Sequence, residues 1–364
     1  MEEYMSIDII STGRYASDHI LNNDMLSKMV DTNSQWIVER TGILERRISE
    51  DKTTEEMAQM ACERAVKKVA ELNGIDVSDM MSKIELIVFA TVSGDTKTPA
   101  SSFRLSEKLG IRECTCLDVN AACSGFLYAM TVAKSMMKEL NKKYALVVGA
   151  ERLSKYVDWD DRGTCILFGD GAGAALLENT RDMSEDGECS CENRLEISDV
   201  YLGGRVDDKG LLTLHSKNHI DEENNRFIGM NGRQVYKFAT EIGPKVIEKL
   251  FDKTGLTKDD IKFVVPHQAN VRIIKTMAQK SGIELDKWYT NIEKYGNTSA
   301  ASVPMALDEA LEKWGDVLKA SSRKTGENVE KTGQYDEGSD RAKYILSIAF
   351  GGGLSYAGIL FKIK

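Results

Sequence analysis

Along nearly the whole chain, short apolar runs alternate with amphipathic stretches of helical period, which is the pattern of an α/β protein. Ile84–Thr91, Cys116–Val119, Tyr144–Gly149 and Ile166–Phe168 read as strands, as do Ile261–Pro266, Tyr344–Phe350 and Tyr356–Phe361 further on. The residues from Thr53 to Leu72 predict an amphipathic helix. Thr53 and Glu56 form a capping box, Met57, Ala61, Ala65, Val69 and Leu72 share one face, and Gly74 ends it. The signals also recur in order. A strand, a segment opening at Asn120, a helix, YALVVGAE and an apolar run from Gly171 are echoed by a strand, the segment Lys294–Ser299, a helix, YILSIAFGGG and a run from Leu354. Two similar halves, residues 1–178 and 179–364, with a site between them are the expectation.

Two stretches break the rhythm. Glu178–Arg194 is acidic and polar and is expected to cross the surface between the halves. Lys319–Arg341 has alternating charges and almost no apolar side chain, so it predicts an exposed insertion of no assigned function. The net charge of −9 argues against nucleic acid as a partner. No basic, apolar leader opens the sequence, and no apolar run reaches the roughly 18–20 residues that span a bilayer. A cytoplasmic enzyme without membrane contact is therefore expected.

Seven cysteines, an odd number, point to free thiols and not a disulfide framework. The pairs Cys114/Cys116 and Cys189/Cys191 invite a metal reading with His215 and His219, but C-x-C lacks the usual ligand spacing, so no metal is expected. Of the four histidines, His19, His215 and His219 lie in polar surroundings and are expected at the surface. His267 instead follows IKFVVP and precedes a helix from Val271 to Ser281, at a strand end where active sites of α/β folds gather.

Cys123 has the same placement. It sits among small residues before a helix with Leu127, Met130, Ala133, Met137 and Leu140 on one face, and a thiol at a helix start is biased toward thiolate. Asn297 occupies a third strand-to-helix turn, where it is either a turn-former or a ligand. Gly351–Gly353 allow close backbone approach and offer N–H groups. Gly169–Ala174 lacks the spacing of a nucleotide loop, and close packing explains its glycines better.

Together these segments resemble the β-ketoacyl-acyl carrier protein synthase III family of the thiolase superfamily. The resemblance rests on Asp118–Phe126 (DVNAACSGF), Pro266–Asn270 (PHQAN), Tyr295–Ser302 (YGNTSAAS) and Phe350–Gly353 (FGGG). Trp36–Ile43 (WIVERTGI) and Asp161–Ala174 (DRGTCILFGDGAGA) add to it, and it runs in register from about Ile7 to the C-terminus.

The resemblance implies a thiolase-like α/β fold of five layers, αβαβα, built from two duplicated halves and assembled as a homodimer. It implies Cys123, His267 and Asn297 as the catalytic set, with the N–H groups of Cys123 and Gly352 as the oxyanion hole. Coenzyme A would meet Trp36, Arg40, Arg162 and Asn270, and Lys237, Arg272 and Lys280 would dock the acidic carrier protein. Thr98 would floor the acyl tunnel of the partner subunit, at a position where short-chain-selective members carry phenylalanine. The implied reaction joins an acyl group from acyl-CoA to malonyl-acyl carrier protein with decarboxylation and needs no cofactor. Alternatives are a relative of secondary metabolism with another extender or acyl acceptor, and a non-catalytic acyl-CoA-binding protein.

Overall fold

A computed structural model of the chain describes residues 6–180, 194–214, 227–322 and 342–364, without the side chains of 316–322. Nine strands among these residues share one hydrogen-bonded ladder. They are β1 (Ile7–Tyr15), β2 (Ile84–Ala90), β3 (Thr115–Val119), β4 (Tyr144–Glu151), β5 (Gly171–Asn179), β6 (Leu195–Gly204), β7 (Ile261–Pro266), β8 (Tyr344–Gly351) and β9 (Ser355–Ile363). Their order is β7-β8-β9-β6-β1-β5-β4-β2-β3.

The ladder is two sheets joined by a short seam, where β1 and β6 pair only at Asp8–Glu196 and Ile9–Leu195. Each sheet repeats the other. β2 runs parallel to β4, which is followed by antiparallel β5 and β1. Likewise β7 runs parallel to β8, followed by antiparallel β9 and β6. Even β3, the edge strand beside β2, has a counterpart in a single parallel bridge from Val264 to Trp288.

Side-chain alternation along the strands builds the layers. Leu86, Val88, Ala145, Val147, Ile359 and Phe361 face inward, onto helices α4 (Gly125–Glu139) and α7 (Ser302–Ser322) between the sheets. Their strand neighbours Ile87, Phe89, Leu146 and Val148 face outward, against α2 (Thr54–Asn73) and α3 (Ser101–Lys108). On the far side Leu346, Ile348 and Leu360 face α5 (Gly232–Thr254) and α6 (Val271–Ser281). The result is five layers, αβαβα. Phe89 and Phe361 are fully buried on opposite outer and inner faces. Truncating either to alanine would destabilise the protein by about 3–5 kcal/mol.

Local signals behave as the sequence predicts at α2. Glu56 N–H donates to Thr53 Oγ1, the Glu56 carboxylate accepts from Thr53 N–H, and Gly74 takes φ +62°. Three expectations need correction. Leu72 and Leu140 are exposed, because each falls in the last turn of its helix or just beyond it, past the edge of the core. Ile166–Phe168 is a turn, although buried, because its only ladder contact is a bridge from Phe168 to Asn297. Residues 319–322 continue α7 and so are helix, not loop; 323–341 lie outside the described residues, as do 181–193, Cys189, Cys191, His215 and His219.

Candidate active site

The nucleophile candidate sits on a strained turn. Cys123 is the middle residue of a 3-10 turn, Ala122–Ser124, between β3 and α4. Ala122 adopts φ +47°, a left-handed conformation uncommon for alanine. Its N–H donates to Asn120 Oδ1 at 3.3 Å, which holds the turn. The second half repeats the device. Ser299 has φ +48°, its N–H donates to Asn297 Oδ1 at 2.9 Å, and a 3-10 turn, Ser299–Ala301, leads into α7. This is the physical form of the internal echo, and the two turns are in contact.

Gly351 completes the packing. A Cβ on it would lie 2.6 Å from Cys123 N, so only glycine lets β8 approach the nucleophile's backbone this closely. Cys123 and Gly352 both lie at the starts of short helical turns, where N–H groups have no acceptor within the turn. Gly171 and Gly173 press against Met305 and Pro304 of α7, which gives the glycines of that motif the packing role expected of them.

His267 follows β7 and is 1% exposed. Its N–H donates to Ile348 O at 2.7 Å, its Nδ1 lies 2.5 Å from Ser302 Oγ, and its ring meets Phe350 edge-on with centroids 5.5 Å apart. Burial pushes the imidazole down to about 3, so it is neutral at physiological pH. Asn297 has its Oδ1 occupied by the Ser299 N–H, which leaves the Nδ2 amide as the group it can offer a ligand. Its backbone is clamped to Leu167 and Gly169.

Cys123, His267 and Asn297 line one cleft of about 540 Å³, with apolar walls that include Phe168, Leu212 and Phe350. Burial pushes the Cys123 thiol up to about 12, against the Ser299 hydroxyl, which holds it down. The bias toward thiolate expected from a helix start is therefore outweighed by burial, which strips the sulfur of the water that would solvate its charge. Among the described residues no group of three or more His, Cys, Asp or Glu side chains is arranged to hold a metal.

Trp36 lies on α1 (Ser34–Thr41), with the Arg40 guanidinium 4.8 Å and the Arg162 guanidinium 4.9 Å from its ring centroid; of the three, Arg40 lines the cleft. Arg162 is anchored by donating to Asp31 O at 2.9 Å. Asn270 is engaged at both ends of its amide: Oδ1 caps α6 by accepting from Arg272 N, and Nδ2 donates to Arg40 O at 2.9 Å. It thereby ties the helix carrying Arg40 to α6. Lys237, Arg272 and Lys280 lie on the neighbouring helices α5 and α6, with Lys280 Nζ donating to Thr240 O and Arg272 over the Tyr236 ring. Thr98 is exposed and is not among the residues lining its own chain's cleft. Ser302 and Arg233 do not stand out in the sequence, and Ser299 reads there only as a possible helix cap; Arg233 lines the cleft together with Arg40 and Arg272. Ser302 is still within reach of sequence reasoning, since it closes the YGNTSAAS segment.

Residues 117–192 match the family described as 3-Oxoacyl-[acyl-carrier-protein (ACP)] synthase III, and residues 251–322 match its C-terminal domain. A β-ketoacyl-[acyl-carrier-protein] synthase III of Acholeplasma laidlawii is 38% identical over 99% of both chains. The chain belongs to the β-ketoacyl-acyl carrier protein synthase III family. A Clostridium acetobutylicum synthase III is also 38% identical, over 98% of both chains. The crystal structure of the Aquifex aeolicus synthase III is 34% identical and superposes with a TM-score of 0.79, covering 98% of this chain and 99% of that one. The priming β-ketosynthase of the R1128 polyketide pathway superposes equally well, with a TM-score of 0.79 at 28% identity, over 100% of this chain and 97% of its own.

Proposed function

We propose that Cys123, His267 and Asn297 carry the condensation of this synthase III. The enzyme is a condensing acyltransferase that initiates fatty acid synthesis. Cys123 sulfur attacks the acyl-CoA thioester, the carbonyl oxygen takes negative charge between the Cys123 and Gly352 N–H groups, and the thiol proton passes to the departing coenzyme A sulfur, which leaves as the free thiol. Malonyl-acyl carrier protein then occupies the cleft. Its thioester carbonyl accepts hydrogen bonds from His267 Nε2 and Asn297 Nδ2. The bond to the carboxylate breaks, carbon dioxide leaves, and the electron pair forms an enolate held by those two donors. The enolate carbon attacks the acyl-enzyme carbonyl, 3-oxoacyl-acyl carrier protein is released, and Cys123 departs as the thiolate, which takes up a proton from water to restore the thiol. These steps balance without a redox or metal cofactor.

The observation that carries this reading is the convergence of a thiol, a neutral imidazole and an amide donor, from three different turns, on one cleft. A neutral histidine suits a hydrogen-bond donor to an enolate, since it stabilises charge without first losing its own to the solvent-poor pocket. The cationic mouth, Arg40, Arg233 and Arg272, suits a phosphate-bearing thioester. We assign the adenine to Trp36 and Arg162, a phosphate to Arg40, the pantetheine arm to Asn270, and carrier-protein docking to Lys237, Arg272 and Lys280. No helix among the described residues is long and apolar enough to cross a membrane, and the cytoplasmic setting is proposed from the family resemblance.

A homodimer completes the reading. Cys116, Leu117 and Val119 of the edge strand β3 are only half-buried in the single chain, Phe103 beside it is 51% exposed, and a second copy would cover them. Thr98 would then floor the partner's tunnel. The division into residues 1–178 and 179–364 is proposed on the same footing, with β5 running one residue across it.

The test separates the half-reactions. Cys123→Ala is expected to form no acyl-enzyme by intact mass. His267→Ala and Asn297→Ala are expected to form it and to lose malonyl decarboxylation by about 10²–10³. Condensation at the parent rate by either variant would refute the roles. A panel of acyl-CoA primers and extenders distinguishes fatty acid initiation from polyketide-type priming.

A further inference from the structure

His267 can serve as a donor to the enolate only in one of its two neutral forms, with the proton on Nε2. We propose that Ser302 is the positioning residue that selects this form, by donating its hydroxyl proton to His267 Nδ1. The proposal rests on the donor role given to His267 above.

The hydrogen-bond inventory around Ser302 carries the inference. Ser302 is the first residue of α7 and is 2% exposed, which shuts its hydroxyl off from bulk water. Its Oγ lies 2.5 Å from His267 Nδ1 and 3.4 Å from Gln268 N, in line to accept that N–H. The backbone N–H can only donate, so the oxygen's acceptor capacity faces Gln268. The hydroxyl proton must then find an acceptor elsewhere, and among the described residues Nδ1 is the one within hydrogen-bond distance. Donation to Nδ1 makes that nitrogen a lone-pair acceptor and places the ring proton on Nε2. The reverse arrangement, Nδ1–H donating to Oγ, would leave a buried hydroxyl proton without a partner, which is unfavourable.

The surroundings fix the geometry of this pair. His267 is anchored by its N–H to Ile348 O, and Phe350 abuts the ring edge-on. Gln268 is held by its Nε2 donating to Pro266 O and Tyr289 O and by its Oε1 accepting from Asn291 N–H. The segment that offers the competing N–H is therefore rigid. Ser302 itself lies five residues after Asn297, so one turn and the helix it opens supply both an enolate donor and the group that orients the other donor.

The experiment reads the tautomer directly. In protein labelled with ¹⁵N at the imidazoles, His267 is assigned as the resonance pair lost in His267→Gln. The parent is expected to show a pyrrole-type Nε2 and a pyridine-type Nδ1. Ser302→Ala is expected to shift both toward a mixture of tautomers and to slow malonyl decarboxylation about tenfold through kcat, as the loss of one neutral hydrogen bond implies. Cys123 acylation should stay within about twofold on the same scale. Ser302→Thr, which keeps the hydroxyl, should restore both the spectrum and the rate. A parent His267 protonated at Nδ1 would overturn the proposal. So would a Ser302→Ala variant with unchanged spectrum and rate, or one in which acylation falls as far as decarboxylation. A parent with the Nε2 proton whose His267→Ala variant decarboxylates normally would sink the donor role itself and leave the tautomer assignment standing.

Discussion

Gly351→Ala is a perturbation whose size can be read from the packing. The residue has φ −162°, extended backbone open to alanine, so the added methyl brings no conformational strain of its own. All of its effect is steric. The new Cβ would sit 2.6 Å from Cys123 N, 3.1 Å from Ala122 Cβ and 3.3 Å from Cys123 Cα. Ordinary contact starts near 3.4 Å, so the nucleophile's backbone must retreat by about 0.8 Å, or β8 must. Overpacking of this kind costs about 1–3 kcal/mol of stability. The larger effect falls on chemistry, because the displaced atom is one of the two proposed oxyanion donors, and a misplacement near 1 Å lowers rates about 10²-fold. Mixing enzyme with acyl-CoA, quenching over time and weighing the intact chain gives the acylation rate alone. Thermal unfolding of the same preparation shows that the variant is folded. Acylation within about threefold of the parent, in a folded variant, would refute the close-approach argument, since the effect expected is some thirty times larger.

The Cys123 thiol, raised to about 12 by burial, should be alkylated by iodoacetamide at a rate still climbing beyond pH 9, with Cys123→Ala as the background; a plateau near neutral pH would show that the helix start prevails over burial. Glu151 is fully buried at the end of β4, and burial pushes its carboxyl up to about 7 although Ser93, Val92, Thr91 and Ala300 all donate to it. The folded chain therefore holds this proton more tightly than the unfolded chain, whose value is near 4.5, so the group's contribution to stability is complete below that pH and is lost as pH rises through about 7. Melting temperatures between those limits should fall more steeply in the parent than in Glu151→Gln, and parallel slopes would count against it. Arg40→Ala should impair acyl-CoA far more than an acyl-pantetheine lacking the nucleotide; equal losses would make Arg40 structural. Thr98→Phe should shift primer preference toward acetyl-CoA and leave acylation of Cys123 intact, and an unchanged primer profile would contradict a tunnel-floor role.

Much of this protein can be read before folding it, wherever a short stretch of chain decides the outcome. Thr53, Glu56 and Gly74 mark a helix because a cap involves only neighbouring residues. Cys123 and His267 stand out because each follows a strand and precedes a helix, and strand ends converge in α/β folds; Asn297 stands out as a turn entering a helix, although a short helix, Ile292–Tyr295, and not a strand comes before it. The resemblance then named their roles. What stayed hidden depends on distant partners. The apolar trio Ile166–Phe168 reads as a strand, but its surroundings offer one bridge to Asn297 and no ladder. Leu72 and Leu140 continue an apolar stripe past the point where a sheet lies beneath it. The contact of Arg162 with the Trp36 ring joins residues more than a hundred positions apart. Ser302 looks like an ordinary helix opener until His267 is placed against it.

The twin turns at Asn120 and Asn297 show one mould holding two tools. In each, an asparagine oxygen grips the N–H two residues on and bends it to positive φ. The third residue after the asparagine is Cys123 in one copy and Ala300 in the other. On the proposed roles the first copy uses the mould to aim a sulfur, with its asparagine holding the turn. In the second copy the side chain of interest is the asparagine itself, and the place matching the sulfur carries a methyl group. The same exchange, asparagine to aspartate, should therefore mean different things at the two sites. At Asn120 it preserves the gripping oxygen and leaves the reaction running. At Asn297 it keeps the shape of the turn while removing the amide donor and setting a negative charge against the enolate. The shape occurs twice; on the proposed roles the chemistry is divided between the copies, so that neither half alone would hold the whole set.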